Sequence, residues 1–442
     1  MIAPADALPR RFGCYDIERK LYYITDNRGD YMGIPETAMR RHLRGQGVNP
    51  DCTRDALLSE LDEALNHLQL DCGVHYAGTL AGCSKGIHES CGNRILVTSS
   101  PKLIEPKPGS FPILDKLLEN LFADEITDQR PYVLAWLKIA IEALRAGVIR
   151  PGQVLVMAGP ANCGKSLLQN IITLLLGGRS AKPWRYMAGQ TPFNSELFGS
   201  EHLMIEDESA STDIRVRREL GAKIKDFTVN EVQSCHAKGR PALSLRPFWR
   251  VSVSLNDEPE NMMILPPLDE SIEDKMHLLK VHKREMPMRT QDQAGRAAFW
   301  TAINNELPAF VHHLLEWEIP ESIRCDRFGV KAFHHPALLA SLDDLAPESR
   351  LLSLIDAVLF PGVVNDDVEI TADELQSRLV NSSMGYESRR LLSWPTACGV
   401  YLSRLEKKHP GRFKNQRTRF NRGWLIKAVT ECDGLVLGSP SP

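Results

Sequence analysis

Residues 159–166, GPANCGKS, place two glycines, a lysine and a serine at the spacing G-x-x-x-x-G-K-[ST]. That combination grips phosphate. The glycines let successive backbone N–H groups turn toward an anion, a helix starting near Lys165 points its positive end the same way, and the ammonium reaches the β- and γ-oxygens. Gly159, Pro160, Ala161, Asn162, Cys163, Gly164, Lys165, Ser166 and Leu167 are therefore the expected nucleotide cradle, with Ser166 left to hold magnesium. Cys163 lies inside the loop, where the positive helix end lowers a thiol's pKa and raises its reactivity. The flanks suit the motif, since residues 153–158 (QVLVMA) read as a strand and residues 167–176 have helical length.

Three further stretches carry chemistry. Residues 202–208, HLMIEDE, run an apolar strand into adjacent carboxylates. Behind a phosphate loop this is a Walker B arrangement, with Asp207 expected on the magnesium shell and Glu206 expected to activate the attacking water. Residues 248–256, FWRVSVSLN, form a β-branched strand ending on Asn256, whose amide can sit beside a terminal phosphate and register its presence. Between them, residues 231–246 read strand, turn, strand, with His236, Lys238, Gly239 and Arg240 at the tip. Cations on such a turn give sequence-blind phosphate contacts, although a basic turn is more often just solvated.

These residues need a scaffold, and the composition bounds it. A chain of 442 residues, 43% hydrophobic and 25% charged, has length for two or three domains. Its formal net charge of −3 excludes a globally basic nucleic-acid binder, so DNA contacts must come from local patches. No apolar run is long enough to span a bilayer and the N-terminal stretch lacks a signal-peptide core, which predicts a cytoplasmic protein with no membrane partner. The cluster Cys72, His75, Cys83, His88 and Cys91 has zinc-ligand residue types, but its spacing fits no standard finger. Incidental thiols are the preferred reading.

The expected fold class is α/β, in five parts. Residues 1–104 form a small mixed domain with a strand at LYYIT, a turn at Asp26, a helix over 35–44, and a second helix over 53–70 capped near Thr53 and Asp55. Residues 101–112 carry four prolines and read as a linker. A helical collar covers 105–149, and an ATPase core of alternating strands and helices covers 150–285. A helical segment follows over 286–345. The last part, 346–442, opens a helix with the capping box Thr371 to Glu374, adds a second helix over 395–408, and ends in a segment, 412–427, with six basic residues, no acids, and Phe413, Phe420 and Trp424. Helix, helix and basic hairpin predict a winged helix with Arg417, Arg419 and Arg422 on DNA, the plainer alternative being an ordinary packing module.

The order of these pieces resembles superfamily 3 helicases, the AAA+ motors of small DNA viruses, phages and satellite elements. The stretches YAGTLAG, RILVT and LPPLDESIEDKMHLLKVHK look like the helicase half of phage and satellite primase-helicases, over residues 76–282 and more loosely to 427. The resemblance implies ATP and Mg2+ as cofactors, single-stranded or forked DNA as substrate, a homo-hexameric ring, replication proteins as partners, and a pore hairpin at His236, Lys238 and Arg240. The family's trans-acting arginine commonly falls where this chain has Asp274 and Lys275. A lysine supplies charge but no bidentate fork, so Lys275, Arg217 and Arg218 all remain candidates. The primase portion is read as absent. The alternative function is an AAA+ switch or loader that binds DNA without unwinding it.

Overall fold

The computed structural model describes residues 13–52, 54, 57–124, 127–206, 214–266, 268–344, 346–360, 367–417 and 422–428. The chain forms two compact units, 1–338 and 339–442. Among the described residues no helix is long and apolar enough to cross a membrane.

The first unit begins with strands β1 (Cys14–Asp16), β2 (Leu21–Thr25) and β3 (Tyr31–Ile34), then helices α1 (Glu36–Gly45) and α2 (Glu60–Leu70). Helix α2 starts later than the sequence predicts. Its cap is Ser59, whose Oγ accepts from the Asp62 N–H at 3.1 Å, while Thr53 and Asp55 lie outside the described residues. Leu57 and Leu58, just upstream, are exposed, so an earlier start would have no apolar face to bury. Strands β4 (Gly73–Val74), β5 (Tyr76–Gly78), β6 (Gly86–Ser90) and β7 (Asn93–Val97) complete this region.

Pro101, Pro106 and Pro108 keep residues 101–111 irregular, yet the segment is tied to the body of the unit. Lys102 N–H donates to Gly177 O and Lys107 N–H to Pro308 O. Helices α3 (Pro112–Phe122) and α4 (Arg130–Arg145) follow and pack with the long helix α7 (Gln293–Glu316) around a leucine-rich core. Their ends are capped from a distance. Buried Glu306 of α7 accepts from the Ile113 and Leu114 N–H groups at the start of α3, where an anion is favoured by about 0.3–1 kcal/mol. Lys138 of α4 donates to Leu314 O and Leu315 O at the end of α7.

At the centre lies a five-stranded parallel sheet built from β8 (Val154–Ala158), β9 (Ser180–Ala181), β10 (His202–Glu206), β13 (Arg250–Leu255) and β14 (Met276–Lys280), in the order β14-β8-β13-β10-β9. Every residue of β8 and β13 is buried, as in a sheet covered on both faces; β8 is apolar throughout, whereas β13 alternates Arg250, Ser252 and Ser254 with apolar residues. Helix α5 (Lys165–Leu175) leaves β8, α6 (Ile214–Val229) follows β10, and β11 (Gln233–Cys235) pairs antiparallel with β12 (Leu243–Leu245) as a separate hairpin. Strand β14 is an edge, and its backbone is occupied. Gln129 bonds Lys280 N–H and Lys280 O, while Leu278 pairs with the passing chain at 333–335.

The second unit contains α8 (Pro347–Leu359), β15 (Val368–Thr371), α9 (Ala372–Val380), α10 (Gly385–Leu391), α11 (Ala397–Lys408), β16 (Phe413–Arg417) and β17 (Arg422–Ile426), with sheet order β15-β17-β16. The capping box is present in both directions between Thr371 and Glu374. Phe413 and Trp424 lie in this unit's core and not on a DNA-facing surface. Phe420 lies outside the described residues.

Two buried histidines of the central sheet remain neutral. His202 sits between Thr173 Oγ1 and Ser252 Oγ at 2.8 Å each, and His277 accepts the Phe333 N–H at Nδ1 while facing Gln153 Oε1 at 3.0 Å. Burial pushes both down to about 3. The unfolded chain therefore takes up these protons first, and stability present above an ordinary histidine pKa of about 6.5 declines as pH falls toward about 3, by up to about 1.4 kcal/mol per pH unit for each histidine. The melting temperature of this protein should drop steeply between about pH 6.5 and 5 and less steeply in His277→Asn. A flat wild-type profile across that window would contradict the neutral assignment.

Candidate nucleotide and nucleic-acid sites

The carboxyl ends of β8, β13 and β10 lie side by side, with Ala158 opposite Leu255 and Glu206 opposite Ser254. In open α/β sheets this edge is where ligands bind. Residues 159–164 turn off β8 here, and the turn is geometrically demanding. A Cβ at Gly159 would meet Val281 O at 2.2 Å, and Gly164 has φ +107. Asn162 also adopts a left-handed φ of 58. Such a backbone turns N–H groups outward, and Ala161, Asn162 and Ser166 are exposed around it.

Lys165 is only 5% exposed. Its ammonium donates to Gly159 O at 2.7 Å, Pro160 O at 2.8 Å and Asn256 Oδ1 at 3.1 Å, with Cys163 Sγ at 3.7 Å. The predicted loop lysine and the predicted strand-end amide therefore meet directly. Cys163 sits against the ammonium but is buried, which limits access of reagents to its thiol.

Beneath the loop, sequence reasoning missed a polar network. Gln169 on α5 donates to Ile205 O and Ser252 Oγ, Ser252 contacts His202, and His202 contacts Thr173, again on α5. The network fixes α5 to both strands that end in candidate catalytic groups. No local motif announces it, because each partner is distant in sequence.

Glu206 ends β10 half-buried, and its carboxylate pairs with Lys182 Nζ at 2.9 Å. Lys182 follows β9, the strand next to β10, and was not anticipated. Asp207 lies outside the described residues.

The β11–β12 hairpin forms as expected, with Lys238, Gly239 and Arg240 exposed at its tip. His236 does not extend with them. Its N–H donates to Asn194 Oδ1 at 2.7 Å, its carbonyl accepts from Asn194, and its ring packs on Phe193. A cavity of about 450 Å³ lies between this tip and the N-terminal region, lined by Arg19, His75 and Tyr76 opposite Lys238 and Arg240.

The candidate trans-acting cations differ in availability. Lys275 is 7% exposed and pairs with Asp274 at 2.6 Å at the amino end of β14, the edge opposite the phosphate loop. Arg217 donates to Leu265 O, and burial lowers its pKa. Arg218 is exposed. Arg327, overlooked in the sequence, brings a half-exposed guanidinium to Asp274 at 2.5 Å. In the second unit the side chains of Arg417 and Arg422, and all of Arg419, lie outside the described residues.

Among the described residues no group of three His, Cys, Asp or Glu side chains is placed to hold a metal. Cys72 is buried, Cys91 is exposed, and His88 faces Ser84 O.

No family model matches the chain, and no curated protein matches it in sequence. Solved structures do match. The C-terminal region of NrS-1 superposes with a TM-score of 0.54 at 13% identity, covering 94% of this chain and 96% of that one. A second structure of that region gives 0.55 at 12% identity over 94% and 95%. The shared property is the fold. A JCV helicase and the SCCmec type IV helicase Cch, each 12% identical, score 0.28 and 0.29, below the level at which a common fold can be argued.

The position of Glu206 leads to a direct test. Glu206→Gln should retain nucleotide binding and lose hydrolysis by about a hundredfold or more, the scale of a general base. Hydrolysis at the wild-type rate in this variant, measured by phosphate release, would exclude Glu206 from water activation.

Proposed function

We propose that this chain is an ATP-driven DNA helicase of the superfamily 3 type, with an AAA+ core, working as a homo-hexameric ring in replication of a phage, prophage or satellite element. The observation that carries the reading is the meeting of Lys165 and Asn256 at the carboxyl edge of a parallel sheet, above a glycine-dependent loop.

In this reading the loop N–H groups and Lys165 hold the β- and γ-phosphates. The cradle fits the nucleotide, since Gly159 and Gly164 keep its wall free of side chains and the acceptors now on Lys165 are neutral and exchangeable for phosphate oxygens. Ser166 and Asp207 would hold Mg2+, which supplies charge neutralisation across the phosphates. Glu206 takes the proton of the attacking water once its carboxylate leaves Lys182. Asn256 donates its amide N–H to the terminal phosphate while its oxygen keeps Lys165, so loss of that phosphate is felt at the end of β13. A neighbouring subunit supplies the cation that stabilises transferred charge, and Arg218 is the sequence-predicted candidate with an exposed side chain.

Lys238 and Arg240 are the grip on DNA, and the second unit is a winged-helix-like contact. Replacing both hairpin cations by alanine should shallow the dependence of log affinity on log salt for single-stranded DNA by about 1.4, roughly 0.7 for each lost phosphate contact, and should remove stimulation of ATPase by single strands. An unchanged salt slope in the folded double variant would take the hairpin out of the mechanism.

A further inference from the structure

The cavity of about 450 Å³ beside the β11–β12 tip has the size that encloses one small molecule, and no residue of the 159–166 loop lines it. Its N-terminal wall holds a guanidinium fixed in place. Arg19 Nη1 donates to Tyr23 Oη at 3.1 Å and to Ala77 O at 3.0 Å. Buried Asp16 stands 3.8 Å from Arg19 Nε and is itself occupied by the Glu18 and Arg19 N–H groups at 3.0 and 2.9 Å. Arg19 Nη2 is left without a hydrogen bond among the described residues. Tyr76, on the same wall, donates its hydroxyl to Thr79 O at 2.6 Å, which fixes the ring.

On the hairpin side Lys238 and Arg240 are exposed to the same volume and, like His75 opposite them, make no ion pair among the described residues. Glu18 and Glu196 also line it, exposed and equally unpaired. Cations and carboxylates that face one cavity without meeting each other are satisfied together by a ligand that carries both an anionic end and hydrogen-bond donors.

We propose that this cavity binds a free nucleoside triphosphate, as a site separate from the Lys165 loop, and that occupancy fastens the β11–β12 tip to the N-terminal region. The phosphates lie between Lys238, Arg240 and the open edge of the Arg19 guanidinium, whose fork matches phosphate oxygens. The base lies on the Tyr76 ring, and Glu18 or Glu196 accepts from its exocyclic amine. An amino acid also carries both charges, but it brings one carboxylate to three cations and leaves much of the volume unfilled. The binding claim stands apart from the helicase reading, whereas its consequence rests on that reading. A tip engaged by nucleotide phosphates has fewer cations to offer DNA, so the nucleotide acts as a brake set by its concentration.

The test measures binding by calorimetry on the full chain carrying Lys165→Ala, which silences the loop site, with ATP and inorganic tripolyphosphate as probes. ATP should bind once per chain, and tripolyphosphate, which lacks the base, should bind about tenfold or more weaker. Arg19→Gln removes a charge from the phosphates, and His75→Glu, at an exposed position, sets a carboxylate among them without touching the fold. Each should lower ATP affinity by about fivefold or more. Neither should change affinity for single-stranded DNA by more than about twofold, and both should abolish the weakening of that binding by ATP. No ATP binding to the Lys165→Ala chain, tripolyphosphate binding as tight as ATP, or undiminished ATP affinity in both variants would overturn the proposal. A parallel loss of ATP and single-strand affinity would assign the cavity to a nucleotide of the DNA strand and overturn it as well. ATP bound in the cavity with unchanged single-strand affinity would remove the hairpin from the DNA grip, a failure of the helicase reading and not of the site.

Discussion

A buried ammonium must be surrounded by acceptors, and the way Lys165 meets that need determines the geometry of its half of the first unit. Its partners among the described residues are neutral: two loop carbonyls, a thiol and the Asn256 amide. An apolar setting with uncompensated positive charge favours an anion strongly, because water screens little there. The arrangement exists only if the ends of β8 and β13 are neighbours, which the strand order provides, and only if the loop can pass Val281 without a side chain at Gly159.

Holding that geometry requires the sheet and its helices to move as one body, and buried polar groups do much of the fixing. Gln169 bonds both neighbouring strands from α5, and His202 closes the circuit back to Thr173. Gln129 seals the outer edge at β14, and Glu306 and Lys138 cap helices that cannot cap themselves. Each is costly to leave unpaired in a water-poor interior, so each constrains its partners to one register. The result ties the Gly159–Ser166 loop, the Glu206 strand end and the Asn256 strand end to a common frame.

The parts legible in the sequence are those whose physics is local. The glycine turn at 159–164 with the helix after it, the strand ending on Glu206, the strand ending on Asn256, the capping box at Thr371 and the β11–β12 hairpin follow from spacing within a few residues. What escaped depends on distant partners. His236 reads as a tip cation until Asn194 is seen clamping its backbone. Lys182 means nothing until β9 pairs beside β10 and brings it to Glu206. Phe413 and Trp424 look like part of a DNA-binding segment because they sit among basic residues, yet alternation along β16 and β17 turns them into the core. The sequence places the start of α2 too early because the polar run at 53–55 reads as a cap as good as Ser59, and the exposure of Leu57 and Leu58 decides between them.

The account stands on hydrolysis at the Lys165 loop being converted into movement of DNA. The most direct measurement is strand separation of forked duplexes, with either tail, recorded together with ATP consumption in the same reaction. The account predicts that duplex opens only while ATP is consumed, and that Lys165→Ala abolishes both. Vigorous DNA-stimulated hydrolysis with no strand separation on either fork would contradict it and identify the protein as a switch or loader.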